Sequence, residues 1–273
     1  MRPPGPQATV SRGSLSAAVA YAIRALPRSR WPDPADIRVE TGDERLAVSA
    51  SGRELTARSS VPGTDLAPGA VSVDGRHLAA AVKALPGKSD SPATLRPAGD
   101  GLTISCHGAE VTVPAAPAQQ GRLPGMEMPP LAGTADGTAF ARSVARVATA
   151  AARDKRYPAL RFLLLEMGEE SIALSAMDRS RIATDNVPWV PAALPASGHS
   201  ILVPATSLTL FAAGCRDKMT VHASASGTDR HAGFSDGSRD LIAVAGGEDS
   251  PLAGAPLGNH ISGGPATLSL IHI

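Results

Sequence analysis

Shifted against itself by 126 positions, the chain aligns without a gap over 27 residues: DIRVETGDERLAVSASGRELTARSSVP (Asp36–Pro62) lies on FLLLEMGEESIALSAMDRSRIATDNVP (Phe162–Pro188). About a third of the paired positions are identical, among them Glu40/Glu166, Gly42/Gly168, Ser49/Ser175, Ala50/Ala176, Arg53/Arg179 and Pro62/Pro188. Each copy has an extended apolar run, a Gly beside acidic residues, and then alternating residues such as Leu46, Val48 and Ala50. That is the pattern of strand, tight turn and strand. A period this long means duplicated domains, because the repeats of a solenoid run to roughly 20–50 residues.

The duplication extends in both directions. Upstream of the first copy, SLSAAVAYAIRALP places Leu15, Ala18, Val19, Ala22 and Ile23 on one helical face. Upstream of the second, FARSVARVATAAAR does the same with Phe140, Val144, Val147, Ala148 and Ala151. Downstream, VSVDGRHLAAAVKALP answers to ILVPATSLTLFAAG, each a short strand entering a helix whose apolar stripe starts at Leu78 or Leu208. The first copy closes with three strand-like pieces, ATLRPAGD, GLTISCHG and AEVTVPA, parted by turns. Each copy therefore reads as strand, helix, strands, strand, helix, strands. The first domain is expected over 8–117, a Pro/Gly/Gln-rich linker over 118–134, the second domain over 135–247, and an irregular tail over 248–273.

A length of 273 residues suits two domains of ordinary size. Apolar residues make up 43% and aromatics only 3%, so the cores must be built from Ala, Val, Leu and Ile. A formal charge of +1 leaves the distribution of charge to decide between a nucleic-acid partner and a small molecule. Cys106 and Cys215 stand alone, with no CxxC, which suits a reducing compartment. No signal-peptide pattern opens the sequence and no run reaches the roughly 18 apolar residues of a membrane span. A soluble, cytoplasmic protein is expected.

A duplicated unit in this order, together with Ala176-Met177-Asp178-Arg179-Ser180-Arg181-Ile182-Ala183, resembles the bacterial sliding clamp, the beta subunit of DNA polymerase III. The family's second domain carries an A-T-D-x-x-R-L-A line at this place. Trp189, DKRYPAL (Asp154–Leu160), ILVP (Ile201–Pro204) and the line from Pro68 to Pro86 also match. The departures are Met177 for the family's Thr and Ser180 for its aromatic residue or His. The family has three such domains, and GGEDSPLAGAPLGNHISGGPATLSLIHI after Ala245 matches no third. The resemblance implies an α+β fold of two clamp domains, each with two inner helices packed on antiparallel sheets. It also implies a non-catalytic processivity factor without cofactor, encircling double-stranded DNA and tethering the replicative polymerase. A homodimeric ring is expected only with a third domain, and a clamp-derived regulatory or interaction module is the alternative.

A ring of this kind touches phosphates without reading bases. Candidate contacts are Arg24, Arg28, Arg30, Arg76, Lys83, Arg142, Arg146 and Arg153; Arg142, Arg146 and Arg153 recur at helical spacing opposite the apolar stripe. The alternative is a merely solvated helix face. The family's apolar cleft binds short peptides from the polymerase III alpha subunit, the clamp loader and repair polymerases. Carried over by position, its lining here is Leu160, Met177, Arg179, Ser180, Arg181 and Ile182. The competing interpretation makes Asp178 and Arg181 an internal ion pair bracing a strand end.

One motif points to catalysis: Gly233-Phe234-Ser235-Asp236-Gly237 fits G-x-S-x-G, with Asp240 or Asp249 and His260 following in the order of an α/β-hydrolase. An elbow of that type needs a helix after it, and SRDLIAVAGG reads instead as a short strand. The seven His are scattered, and His222 and His231 lack a third ligand at useful spacing, so no metal is expected.

Overall fold

The repeated stretch folds the same way twice. In the computed structural model, β2 (Asp36–Thr41), β3 (Arg45–Ser51) and β4 (Leu55–Pro62) form an antiparallel meander. β11 (Phe162–Met167), β12 (Ser171–Met177) and β13 (Arg181–Pro191) repeat it. The register is conserved between copies: Arg38 faces Ser49 as Leu164 faces Ser175, and Arg45 faces Pro62 as Ser171 faces Pro188. Residues 5–26, 36–42, 44–116, 127–192, 199–224, 231–246 and 267–270 are described, and the chain divides into two compact units, Met1–Met126 and Glu127–Ile273.

In the first unit, β1 (Gln7–Ser11) runs into α1 (Arg12–Ala22), and β6 (Gly69–Asp74) runs into α2 (Gly75–Ala84). Both junctions are capped by side chains: Ser11 accepts the amide N–H of Ser14, and Asp74 those of Arg76 and His77. Such caps satisfy amides that the first helical turn leaves without partners. β5 (Thr64–Ala67), β7 (Pro92–Ala98), β8 (Gly101–Cys106) and β9 (Ala109–Val113) complete the unit. Its sheets run β4-β3-β2-β6 and β5-β1-β7-β8-β9. Helix α1 packs on β3, β4 and α2 over an aliphatic core that includes Leu15, Ile37, Leu46, Leu78, Leu95, Leu102 and Ile104.

The second unit repeats the order with β10 (Leu131–Asp136), α3 (Gly137–Val147), the β11–β13 meander, β14 (His199–Pro204), α4 (Ala205–Ala212), β15 (Lys218–Ala223), β16 (His231–Ser235) and β17 (Arg239–Val244). Asp136 caps α3 through the amide of Ala139. Helix α3 lies on β12, β13 and α4. Here the core holds three of the chain's four phenylalanines: Phe140, Phe211 and Phe234 are fully buried, with ring centroids 6.0 and 5.8 Å apart across Phe234. Cys106 and Cys215 are free and buried, each within its own unit.

Three details depart from the sequence expectation. Strand β10 begins at Leu131, inside the stretch read as linker, because its small residues LAGTAD carry little apolar signal. A strand, β18 (Thr267–Leu270), occurs in the tail read as irregular and pairs antiparallel with β13. Strand β5 is a third element that the sequence pattern does not announce. It corresponds to the far end of β13, with the chain broken at Gly63, the counterpart of Trp189. A side chain on Gly63 would press on Val10 and the Thr9 carbonyl. Trp189 instead lies over Gly133, which leaves room for its ring, and its indole N–H donates to the Gly168 carbonyl at 2.9 Å.

Candidate functional site

The two copies differ most on one sheet face. Strand residues alternate between faces, so residues opposite one another across a ladder share a side. On β13, Asp185 belongs to the helix side, where it accepts from Ser143 of α3 at 2.6 Å. Ile182 and Thr184 belong to the other side, opposite Met177 and Ser175. In the second unit that side carries a cluster of Leu164, Leu202, Phe162 and Met177. The register-matched residues of the first unit are Arg38, Ser72, Asp36 and Ser51. The duplicated scaffold is thus polar in one unit and apolar in the other at equivalent places, without any change of backbone. Leu164 and Leu202 are buried in this cluster, and Phe162 and Met177, packed against them, are half-buried.

The same comparison explains an oddity at the edge of this face. In the first unit Glu40 is paired with Arg38 at 3.2 Å. In the second its counterpart Glu166 stands beside Leu164, and among the described residues its Oε2 is buried without a hydrogen-bond partner. Burial pushes the Glu166 carboxyl above its ordinary pKa. The ionised form is therefore disfavoured in the folded protein, and stability contributed by the protonated form is lost as pH rises. Glu166→Gln is expected to raise the urea midpoint at pH 7, with the difference shrinking toward zero as pH falls and Glu166 itself protonates. A midpoint that drops at pH 7 contradicts this.

The turn between β12 and β13 is built from Asp178, Arg179, Ser180 and Arg181. Asp178 Oδ1 accepts from the Ser180 amide (2.9 Å), the Ser180 hydroxyl (3.1 Å) and the Arg181 amide (3.1 Å); Oδ2 accepts from Arg181 Nε (2.9 Å). The turn between β16 and β17 repeats the device: Asp236 Oδ1 accepts from the Ser238 amide (3.0 Å), the Ser238 hydroxyl (2.8 Å) and the Arg239 amide (2.7 Å), and Oδ2 from Arg239 Nε (3.0 Å). Burial alone would raise both carboxyls, but these donated hydrogen bonds outweigh it and hold Asp178 and Asp236 below the ordinary range. Since D-x-S-R closes two hairpins identically, Asp178, Ser180 and Arg181 have a structural role whatever else they contact. Arg181 is further tied to the Thr149 carbonyl at 2.6 Å. The strand-bracing ion pair considered from the sequence is present.

That leaves Leu160, Met177, Arg179 and Ile182 as the lining residues outside that brace. Leu160 ends a short 3-10 turn, Pro158–Leu160, and is half-buried; Met177 joins the apolar cluster; Ile182 is half-buried opposite it. Arg179 is exposed, stacked 5.3 Å from the Tyr157 ring centroid and donating to the Tyr157 hydroxyl at 3.1 Å. Phe162, Leu164, Leu202 and Tyr157 are absent from the lining expected from the sequence. Comparing the two copies position by position would have found the first three.

The basic candidates separate into groups. Arg24, Lys83, Arg142 and Arg153 are exposed at the ends of α1 and α2 and along and after α3, and Arg76 is half-exposed on α2. Arg28 and Arg30 lie outside the described residues. Arg146 is engaged: its Nε donates to Asp185 at 3.0 Å, and its guanidinium also contacts Ser143. Its charge is largely neutralised by a buried carboxylate, so it offers less to a phosphate than helical spacing alone implies.

The hydrolase motif is overturned by its surroundings. Ser235 ends β16, a tight turn follows, and Arg239 opens β17, so the serine sits on a hairpin and not on a strand-to-helix elbow. Its hydroxyl donates to Asp240 at 2.6 Å. His260 and Asp249 lie outside the described residues. Among the described residues no group of three or more His, Cys, Asp or Glu is placed to hold a metal, and no helix is long and apolar enough to cross a membrane.

Two copies of a unit with paired helices on one side of antiparallel sheets define the sliding-clamp class of fold. Solved structures agree: the DNA polymerase III subunit beta of Pseudomonas aeruginosa matches with a TM-score of 0.72 at 20% identity, over 90% of this chain and 66% of that one. The sliding clamp of Bacillus subtilis matches with a TM-score of 0.73 at 15% identity, over 90% and 66%. No family model matches the chain. Among curated proteins it is 32% identical to the beta sliding clamp of Micrococcus luteus over 203 residues, 74% of this chain and 64% of that protein. It is 35% identical to that of Streptomyces coelicolor over 202 residues, covering 73% and 52%. It is 30% identical to a beta sliding clamp homologue, GriR, of Streptomyces muensis, covering 74% and 53%. The chain belongs to the bacterial beta sliding-clamp family, and its aligned part spans between half and two thirds of the length of these relatives.

Proposed function

We propose that the chain serves as the DNA-holding and partner-docking portion of a non-catalytic processivity factor, which encircles duplex DNA and tethers the replicative polymerase. The observation that carries this reading is the recurrence of exposed basic residues on the helices of both copies, on a scaffold of the clamp family. A weakly positive, sequence-blind surface suits passage along phosphates. The apolar face around Met177 and Leu164 suits short peptides from the polymerase III alpha subunit, the clamp loader and repair polymerases. Holding such a peptide raises the local concentration of the attached enzyme without any bond chemistry. The similarity to a clamp homologue, GriR, is in keeping with a second reading, in which the chain is a clamp-derived paralogue; on that reading it would act as a regulatory or interaction module without ring formation.

Salt dependence of duplex binding tests the DNA reading. With Arg142→Ala and Arg153→Ala together, the slope of log K against log salt, measured by anisotropy on a short labelled duplex, should become shallower by roughly one for each phosphate contact removed. An unchanged slope makes these residues a solvated face. Arg146→Ala is expected to change the slope less, since Asp185 already holds that guanidinium.

A further inference from the structure

We propose that the edge of β13 from Arg181 to Thr184 is a strand-docking surface, which the chain's own tail strand β18 occupies reversibly in cis. The inference rests on strand pairing and is independent of the DNA reading. One edge of β13 is paired with β12 along Ile182–Pro188. The opposite edge is shared: β10 covers Trp189–Pro191, and β18 covers Arg181–Thr184, with Arg181 opposite Leu270, Ile182 opposite Ser269, Ala183 opposite Leu268 and Thr184 opposite Thr267. The Arg181 amide and carbonyl are held by Asp178, and backbone groups alternate between the two edges of a strand, so without β18 it is the amides and carbonyls of Ile182 and Thr184 that stand unpaired on this edge, the state that invites another strand to add on.

The chemistry of the occupant matches such a site. From Ile261 to Ile273 the chain carries no Asp, Glu, Lys or Arg, and ATLSLI is rich in β-favouring residues. Its recognition is then by main-chain hydrogen bonds, which a second extended, uncharged segment can supply equally well. The occupied stretch contains Arg181 and Ile182, the first two residues after the turn that borders the apolar cluster. The tail therefore covers the rim of the partner-binding face, and a strand arriving in trans has to displace it.

Two readouts test this on the full chain. In Leu268→Pro/Ser269→Pro, whichever amide reaches β13 is removed. Hydrogen exchange at the amides of Ile182 and Thr184, which face β18, should quicken at least tenfold, with Arg181, Ala183 and Ile172–Met177 unchanged. Ser262→Pro, outside the paired stretch, should leave these rates as they were. A labelled peptide of residues 265–273, added in trans, should bind the double variant at least tenfold more tightly than the unaltered chain and restore the slow exchange. Unchanged exchange in the double variant, or peptide affinity equal for the two chains, or no peptide binding to either, overturns the proposal. None of these outcomes depends on polymerase-peptide or DNA binding, so failure of those readings is scored separately.

Discussion

Phe234→Ala should destabilise the second unit by about 3–5 kcal/mol, the usual cost of truncating a fully buried aromatic ring. Phe234 sits between Phe140 and Phe211, both fully buried, so its removal leaves a void bordered by two rigid rings as well as by Val221 and Leu241 of the neighbouring strands. Elsewhere the cores are mostly Ala, Val, Leu and Ile, whose truncation removes less. The loss has to be read on the second unit's own transition, because two units need not unfold together. Trp189, buried in that unit, provides the signal in a Trp31→Phe background, with urea as denaturant. A loss below about 1 kcal/mol means that the aromatic cluster collapses around the gap and does not organise the core.

The second large effect is functional. Met177→Asp should weaken binding of a short clamp-binding peptide from a polymerase III alpha subunit at least tenfold, or about 1.4 kcal/mol. Met177 is a flexible apolar side chain packed, like Phe162, against the Leu164 and Leu202 pair, the kind of side chain that adapts to varied apolar partners. An aspartate there has to be dehydrated whenever an apolar peptide side chain settles on the cluster. The two arginines of the adjoining turn are already engaged, Arg181 with Asp178 and the Thr149 carbonyl, and Arg179 with Tyr157, so neither is at hand to neutralise it. Titration calorimetry on a variant with unchanged far-ultraviolet dichroism is the measurement. Unaltered affinity places the peptide elsewhere.

The duplication was legible because strand periodicity and turn residues survive divergence together: β2 and β3 have the bounds of β11 and β12 shifted by the same offset. The helices were legible through their apolar stripes, Leu15 and Val19 or Phe140 and Val144. Weak elements were not. β10 is written largely in Ala, Gly and Thr, and the close approach of Val10 and the Thr9 carbonyl to Gly63, between β4 and β5, shows only in the packed structure. At the site, helical spacing placed Arg146 with Arg142 on one face, but spacing carries no information about Asp185 on a strand 39 residues away in sequence. The apolar cluster escaped notice because its members come from β11, β12 and β14 and meet only once the sheet is assembled.

The D-x-S-R turn has a bearing on how the two halves of a duplicated molecule come to carry different outward faces. Each such hairpin is locked by contacts within four consecutive residues, so its alignment owes nothing to what the strands display farther along. A pair of strands fastened at its own bend tolerates wholesale rewriting of its outward side, and Asp36, Arg38, Ser51 and Ser72 can give way to Phe162, Leu164, Met177 and Leu202 without loss of shape. Architecture and surface character are thereby inherited separately, and the Oε2 of Glu166, unpartnered among the described residues, is the trace left where an acidic residue stayed while its neighbour on the same face, Arg38 in the first copy, became Leu164.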